Sequence, residues 1–238
     1  MSAADPTVLA DPTLGAPVLD NPAWAALTGP HAAFAQRLGH AARYHPDVAG
    51  FAAVQDISDP AHWADLRRLV GPGAEVSVSG EFTAPAGWRE TFAVPGVQLV
   101  DVELVTEPDA EAVRLGAADV PEMLDLVART QPGPFRVRTV ELGTYLGIRR
   151  DGVLVAMAGE RLHPPGWTEI SAVCTAPEVR GQGLATRLVR AVAFGIAGRG
   201  ERAFLHTSAA NTTAIRLYTS IGFRLRRTTR FRAFVSPG

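Results

Sequence analysis

The stretch CTAPEVRGQGLATRLVRAV, residues 174–192, holds the residue types in this chain best suited to chemistry. An apolar strand, ISAVCT, runs through APEVRGQG into an amphipathic helix. The first turn of a helix leaves backbone N–H groups unpaired and carries partial positive charge. Gly181 and Gly183 let an anion approach those groups with no Cβ in the way, and Arg180 adds a full charge on a rigid donor fork. Together they describe a pyrophosphate site. It is not a Walker loop, because it has no Gly-Lys-Ser/Thr. Nor is it the G-x-G-x-x-G of a dinucleotide fold, because it comes late in its domain.

The elements that must hold this turn show in punctuation and period. Residues 1–20 are rich in Pro, Ala and Asp and read as a loose arm. Asn21-Pro22 opens a helix running to about Leu38. YHPDVAGFAAVQD holds a short strand, and Asp59, Pro60 and Gly71 cap, start and stop a short helix. AEVSVSGEF alternates as a strand does, and VPGVQLVDVEL reads as another. Residues 21–105 thus make a small α/β domain, and the polar, Pro-containing TEPDAE at 106–111 marks a boundary. Beyond it, residues 110–238 give the strand AVRLG, the helix AADVPEMLDLVART and the irregular QPGPFRVRTVELG. TYLGIRR and VLVAMAGERL follow, a hairpin joined at Asp151-Gly152. Then come the strand TEISAVCTA, the helix GLATRLVRAVAFGIAGRG, the strand RAFLHTS, the helix NTTAIRLYTSIG, and one or two strands in FRLRRTTRFRAFV. The fold class is α/β of the α+β kind, a mixed sheet with helices on its faces.

Composition removes several classes. The chain has 238 residues, 47% of them hydrophobic, enough for a sizeable core. No apolar run reaches the roughly 18 residues of a membrane span. The N-terminus lacks the basic-then-apolar pattern of a signal peptide. The expectation is a cytoplasmic protein with no membrane partner. A single cysteine, Cys174, excludes an internal disulfide framework, and the six histidines have no ligand spacing, so no metal site is expected. All 23 basic residues are arginine. Residues 1–110 hold 5 Arg against 14 Asp and Glu, and residues 111–238 hold 18 against 10, so a net charge of −1 hides halves at −9 and +8. The basic half suits a phosphorylated ligand or nucleic acid. No aromatic-interleaved basic groove supports nucleic acid, which is disfavoured as a partner.

In these residues the chain resembles the GNAT superfamily of acyl-CoA-dependent N-acyltransferases. Its signature, Arg/Gln-x-x-Gly-x-Gly/Ala, is matched by Arg180, Gly183 and Ala185, with Pro177 three residues before the arginine. Its later asparagine and its tyrosine on the following helix are matched by Asn211 and Tyr218, and Y-x-x-x-G-F runs on to Gly222 and Phe223. The resemblance covers about residues 110–238. The wording GERL…EISAVCTAPEVRGQGLA is most similar to the glycine N-acyltransferase branch, whose members carry a divergent N-terminal GNAT-like half that residues 21–105 could match.

The resemblance implies that the phosphate belongs to coenzyme A and that acetyl-CoA donates an acyl group to a primary amine in a ternary complex. Backbone around Arg180, Gly181, Gln182, Gly183, Leu184, Ala185 and Thr186 would cradle the pyrophosphate. Val173, Cys174 and Thr175 would lie along pantetheine, with the Val173 N–H aimed at the thioester oxygen, and Asn211 and Tyr218 would flank the cofactor. An amine must lose a proton, and a thiolate leaves better protonated. Tyr218 is the candidate acid. Glu169, sharing strand parity with Ser171 and Val173, is the candidate base, and Glu160 on the preceding strand is its rival. Cys174 and His206 read as packed residues, and the run Arg224, Arg226, Arg227, Arg230, Arg232 as a solvated face. Residues selecting the acceptor are expected in 128–145 and in the N-terminal half. A non-catalytic acyl-CoA-binding regulatory module is the alternative; it keeps the turn and needs no base. A homodimer is compatible with the sequence.

Overall fold

Local chain signals set most element ends. The computed structural model describes residues 14–238. Most of the expected loose arm, residues 1–13, lies outside the described residues, but its end is docked. Pro17–Leu19 form a 3₁₀ turn, and Leu19 is fully buried. Asn21 caps the helix α1, Pro22–Thr28, accepting from the Trp24 N–H at 3.4 Å. Gly29-Pro30 stops α1 well short of Leu38, as helix breakers do. The remainder becomes a hairpin, β1 (Ala35–Leu38) and β2 (Ala41–Tyr44), which β3 (Ala52–Val54) extends to a three-stranded antiparallel sheet. The helix α2, Pro60–Val70, starts at Asp59 and stops at Gly71, as its caps indicate.

The remaining strands are β4 (Glu75–Ser77), β5 (Arg89–Asp101), β6 (Val113–Leu115), β7 (Tyr145–Arg150), β8 (Val153–Glu160), β9 (Trp167–Thr175), β10 (Arg202–Ser208) and β11 (Phe223–Val235). They form one sheet in the order β4-β11-β5-β10-β9-β8-β7-β6. Among the described strands of this sheet, only β9 and β10 pair in parallel. Asp151 and Gly152 turn the β7–β8 hairpin, both at positive φ (51° and 82°), as a two-residue type I′ turn requires. The helices are α3 (Val120–Thr130), α4 (Leu184–Gly198) and α5 (Thr212–Ser220). Among the described residues no helix is long and apolar enough to cross a membrane.

The sheet runs across the expected boundary at 106–111. β5 lies between β10 and β11, and β4 pairs with the end of β11, so residues 75–101 share one sheet with the C-terminal part. The physical reason is an edge: without β5, residues 204–208 of β10 would expose a bare ladder. Val97 and Leu99 join the main core with α3, α4 and α5, while Val100 and Phe204 pack against Leu19, Leu27 and Tyr44 on the N-terminal side. FRLRRTTRFRAFV is a single strand with two register shifts. At the first of them Arg226 is the extra residue, and the bulge turns its side chain inward, onto the Ala16 carbonyl, Asp20 and Gln98. Two of the five arginines expected on a solvated face are therefore buried: the Arg226 side chain is 5% exposed and that of Arg232 9%.

Candidate active site

Two irregularities of β9 create the site. Its parallel pairing with β10 ends at Ile170–Leu205, and from Ser171 onward that edge is free while the other edge stays on β8. Between Gly159–Ser171 and Met157–Cys174 the register slips by one residue, and Ala172 sits at φ 52°. This is a β-bulge, with a left-handed alanine that costs about 1–3 kcal/mol. Before the bulge, Glu169 directs its N–H and carbonyl toward the β8 side, to Leu162 and Arg161. After it, Ala176 donates to Val155 of β8. Alternation then turns the backbones of Val173 and Thr175 to the open edge. The expected parity of Glu169, Ser171 and Val173 is thus broken at Val173; Cys174, not Val173, shares the Ser171 face.

The open edge leads to the turn before α4. Gly181 and Gly183 adopt φ of 80° and 77°, a region few other residues tolerate. No side chain caps α4. Among the described residues, none of the backbone N–H groups from Gly181 to Thr186 has a hydrogen-bond acceptor. Arg180 Nε donates to the Thr175 carbonyl at 3.3 Å, which keeps its charge beside the turn. The Thr175 hydroxyl is buried with no partner. A run of free donors and an arginine fit a phosphate group, and the adjoining strand edge with its orphaned hydroxyl leaves room for an extended polar arm beside it. The Leu184 side chain packs in the core, so only its backbone faces the turn.

A cavity of about 710 Å³ occupies the gap between β9 and β10. Ser171–Thr175, Arg180, Ala185, Asn211 and Leu217 line it at the turn end. Leu19–Ala23, Phe51–Val54, Ser77–Gly80, Phe92 and Gln98 line it from the N-terminal part, and Thr130–Pro134 from the expected selecting segment. Asn211 spends its side-chain oxygen on capping α5, accepting from Ala214 N–H at 3.1 Å, and so has a structural duty besides any toward a ligand.

The expected proton carriers fare differently. Glu160 does not line the cavity. It is the strand partner of Ile170 and so faces the opposite side of the sheet from Glu169. There it bonds Arg199 at 3.0 Å and the Thr144 N–H at 3.0 Å, which corrects its candidacy as base. Glu169 does line the cavity, fully buried. Arg161 Nε and Nη2 each reach its carboxylate at 2.8 Å, and His206 Nδ1 lies 2.7 Å from Oε1. Burial alone would raise its pKa, but the Arg161 charge and the hydrogen bonds from Arg161 and His206 outweigh that and hold it at about 2. A carboxylate so held is a poor proton acceptor near neutral pH. Tyr218 is buried and absent from the cavity wall, its ring edge-on to Phe223 at 6.0 Å. Burial, aided by the nearby Cys174, pushes its phenol up to about 12, so it stays protonated. Cys174 joins the core as expected, its thiol pushed up to about 11 by burial.

Three contributors escaped the sequence reading. His206 is a cavity residue, and Arg161 and Gln98 reach the same spot from the end of β8 and from β5. Strand parity held part of this signal, because Phe204 pairs with Glu169 and His206 lies two residues on, hence on the same face.

Comparison with known proteins is consistent with this geometry. Residues 145–232 match the family described as FR47-like protein. A solved structure from the GNAT family of Novosphingobium aromaticivorans is 40% identical, covers 92% of this chain and 99% of its own, and has a TM-score of 0.84. A GCN5-related N-acetyltransferase from Kribbella flavida shares the fold at 18% identity and a TM-score of 0.59, over 90% of this chain and 96% of that one. A Drosophila protein does so at 17% identity and a TM-score of 0.60, over 83% and 74%. Among curated proteins none matches the chain.

Proposed function

The chain belongs to the GNAT acetyltransferase superfamily, and from that premise we propose that it transfers an acetyl group from acetyl-CoA to a primary amine of a small molecule or peptide, by direct attack in a ternary complex. One observation carries the reading: the free edge of β9 runs straight into six unpaired N–H groups at the start of α4. The turn at Arg180–Thr186 holds the pyrophosphate. The Val173 N–H, fixed on the open edge, stabilises the oxyanion as the amine adds to the thioester carbon; a fixed donor of this kind is worth roughly 3 kcal/mol. Tyr218 lies behind the cavity wall beside Cys174, which does line it, and from there would give its proton to a departing sulfur drawn alongside Cys174. The likeness to glycine N-acyltransferases rests on the wording of residues 159–185 alone. The N-terminal half contributes the acceptor end of the cavity.

That end also limits the acceptor. Its lining includes two carboxylates, Asp20 and Glu169. Asp20 is bound by Arg226 and Arg227, and Glu169 by Arg161. Around them lie Phe51, Val54, Ile57, Val78, Phe92 and Phe231. Both are already neutralised by arginine, so among the described residues that line the cavity neither offers a second ammonium an unpaired charge. Apolar monoamines should therefore exceed polyamines and aminoglycosides by at least about tenfold in kcat/KM, since one unpaired buried charge costs more than the 1.4 kcal/mol of a decade. Thiol release from acetyl-CoA against an amine panel reads this directly. A polyamine as best acceptor removes the specificity argument. Binding of acetyl-CoA with no release for any amine favours the non-catalytic module instead.

Replacing Tyr218 by phenylalanine should lower kcat by about 100-fold or more, in the range of general acids, with acetyl-CoA affinity within twofold. Steady-state kinetics paired with calorimetry tests this, and wild-type turnover removes the acid role.

A further inference from the structure

We propose that His206, not Glu169, takes the proton from the acceptor amine, and that Glu169 is a positioning residue that orients it. The inference rests on the acyl-transfer reading above.

The hydrogen bonds settle which nitrogen of His206 holds the proton. Nδ1 lies 2.7 Å from the Glu169 carboxylate, which can only accept, so Nδ1 donates. Nε2 lies 3.1 Å from the side-chain nitrogen of Gln98. The orientation of Gln98 is fixed at both ends: its nitrogen donates to the Leu19 carbonyl at 2.9 Å, and its oxygen accepts from Arg226 at 2.8 Å. Its remaining N–H points at Nε2, which must therefore carry the lone pair. This is a neutral imidazole on a residue that lines the cavity, its acceptor nitrogen facing Gln98 and its donor nitrogen held by a buried carboxylate. A carboxylate that holds a histidine in one tautomer and steadies the imidazolium that forms is the arrangement of acid–base dyads in other enzymes.

Glu169 itself is occupied. Arg161 bridges both its oxygens, and the Arg161 guanidinium lies 4.9 Å from the ring of Phe51, the residue just before β3. His206 is wedged edge-on between Phe204 and Phe231, at 5.7 and 6.1 Å, so its ring direction is set. The acceptor amine enters neutral, and for its N–H to reach Nε2 the Gln98 amide tilts and gives up that one hydrogen bond while keeping those to the Leu19 carbonyl and Arg226. As the C–N bond forms and the C–S bond breaks, the amine proton passes to Nε2. The imidazolium charge is balanced by Glu169. The thiolate gains its proton from Tyr218, and the proton on His206 returns to the tyrosinate through solvent, so no net proton is gained or lost by the protein.

The test compares four proteins by thiol release with the best amine found for the wild type. His206→Asn keeps a donor near the Nδ1 position, toward Glu169, and removes Nε2. It should fold, bind acetyl-CoA normally by calorimetry and lose kcat by about 100-fold or more. His206→Ala should lose as much and regain activity when imidazole is added. Glu169→Gln keeps His206 and should lose about 10- to 100-fold, with no gain from imidazole. Wild-type kcat in His206→Asn overturns the assignment, as does loss in His206→Ala that imidazole leaves unchanged while Glu169→Gln is the more damaged enzyme. A wild type that releases no thiol with any amine overturns the transfer reaction itself, and the role of His206 with it.

Discussion

Gly183→Asp should fold as the parent does and lose acetyl-CoA. The Cβ added at position 183 meets nothing within 4 Å, and the positive φ there is one that aspartate, with asparagine, tolerates better than most residues. Aspartate is also a good partner for a helix start, so the cost to α4 is about 1 kcal/mol or less. Binding is another matter. The new carboxylate sits on the donors proposed to hold pyrophosphate and would repel it. At an effective dielectric of 20, two unit charges about 4 Å apart repel by about 4 kcal/mol. Affinity should therefore fall by at least about 100-fold. Calorimetry should show no saturable heat, while thermal unfolding stays within a few degrees of the parent. Unchanged binding places the donor elsewhere and removes the basis of the proposed function.

The second large effect is on stability. Arg161→Ala leaves Glu169 buried and unpaired by its main counter-charge. Breaking a buried pair by removing one partner costs about 3–5 kcal/mol. For a chain of this size that is a fall in melting temperature of about 6–20 °C. The pH dependence follows from the lowered pKa. In the parent, Glu169 titrates near 2 when folded against 4.5 when unfolded. Its contribution is complete above pH 4.5 and is lost as pH falls from there through about 2. In the variant the buried acid prefers to be neutral, so the gap in melting temperature between parent and variant should narrow from pH 7 to pH 4. Calorimetric scans at the two pH values measure it, and a gap that widens on acidification contradicts the account of the pair.

How much of this was legible in the sequence depends on range. The turn at Arg180–Ala185 was, because glycine, arginine and a helix start act within a few residues. So were the caps at Asn21 and Asp59 and the Asp151-Gly152 hairpin. The early end of α1 was written in Gly29-Pro30 and overridden by the apolar run that followed. The joining of β5 to β10 was not legible, since Gln98 and His206 are 108 residues apart and no local pattern announces such a pairing. His206 was passed over as a packed residue because its partner, Glu169, lies 37 residues away on another strand. Glu160 stood as a rival to Glu169 because parity within each strand says nothing about which face of the sheet the pair registers to. Ala172 gave no sign at all: alanine is not the residue that usually marks a left-handed bulge.

The left-handed Ala172 bears on how this strand can change. A one-residue slip halfway along β9 puts its two ends out of phase. The first end presents side chains, Glu169 and Ser171, to whatever enters from the N-terminal part. The second end presents main chain, at Val173 and Thr175, to the edge on which the proposed donor would lie. Because the donor end reads chiefly through backbone, the Val173 side chain is free to vary for packing. The acceptor end reads through side chains, so its chemistry can be rewritten residue by residue. One strand can thus keep the same donor while its acceptor drifts, provided the slip at Ala172 stays where it is.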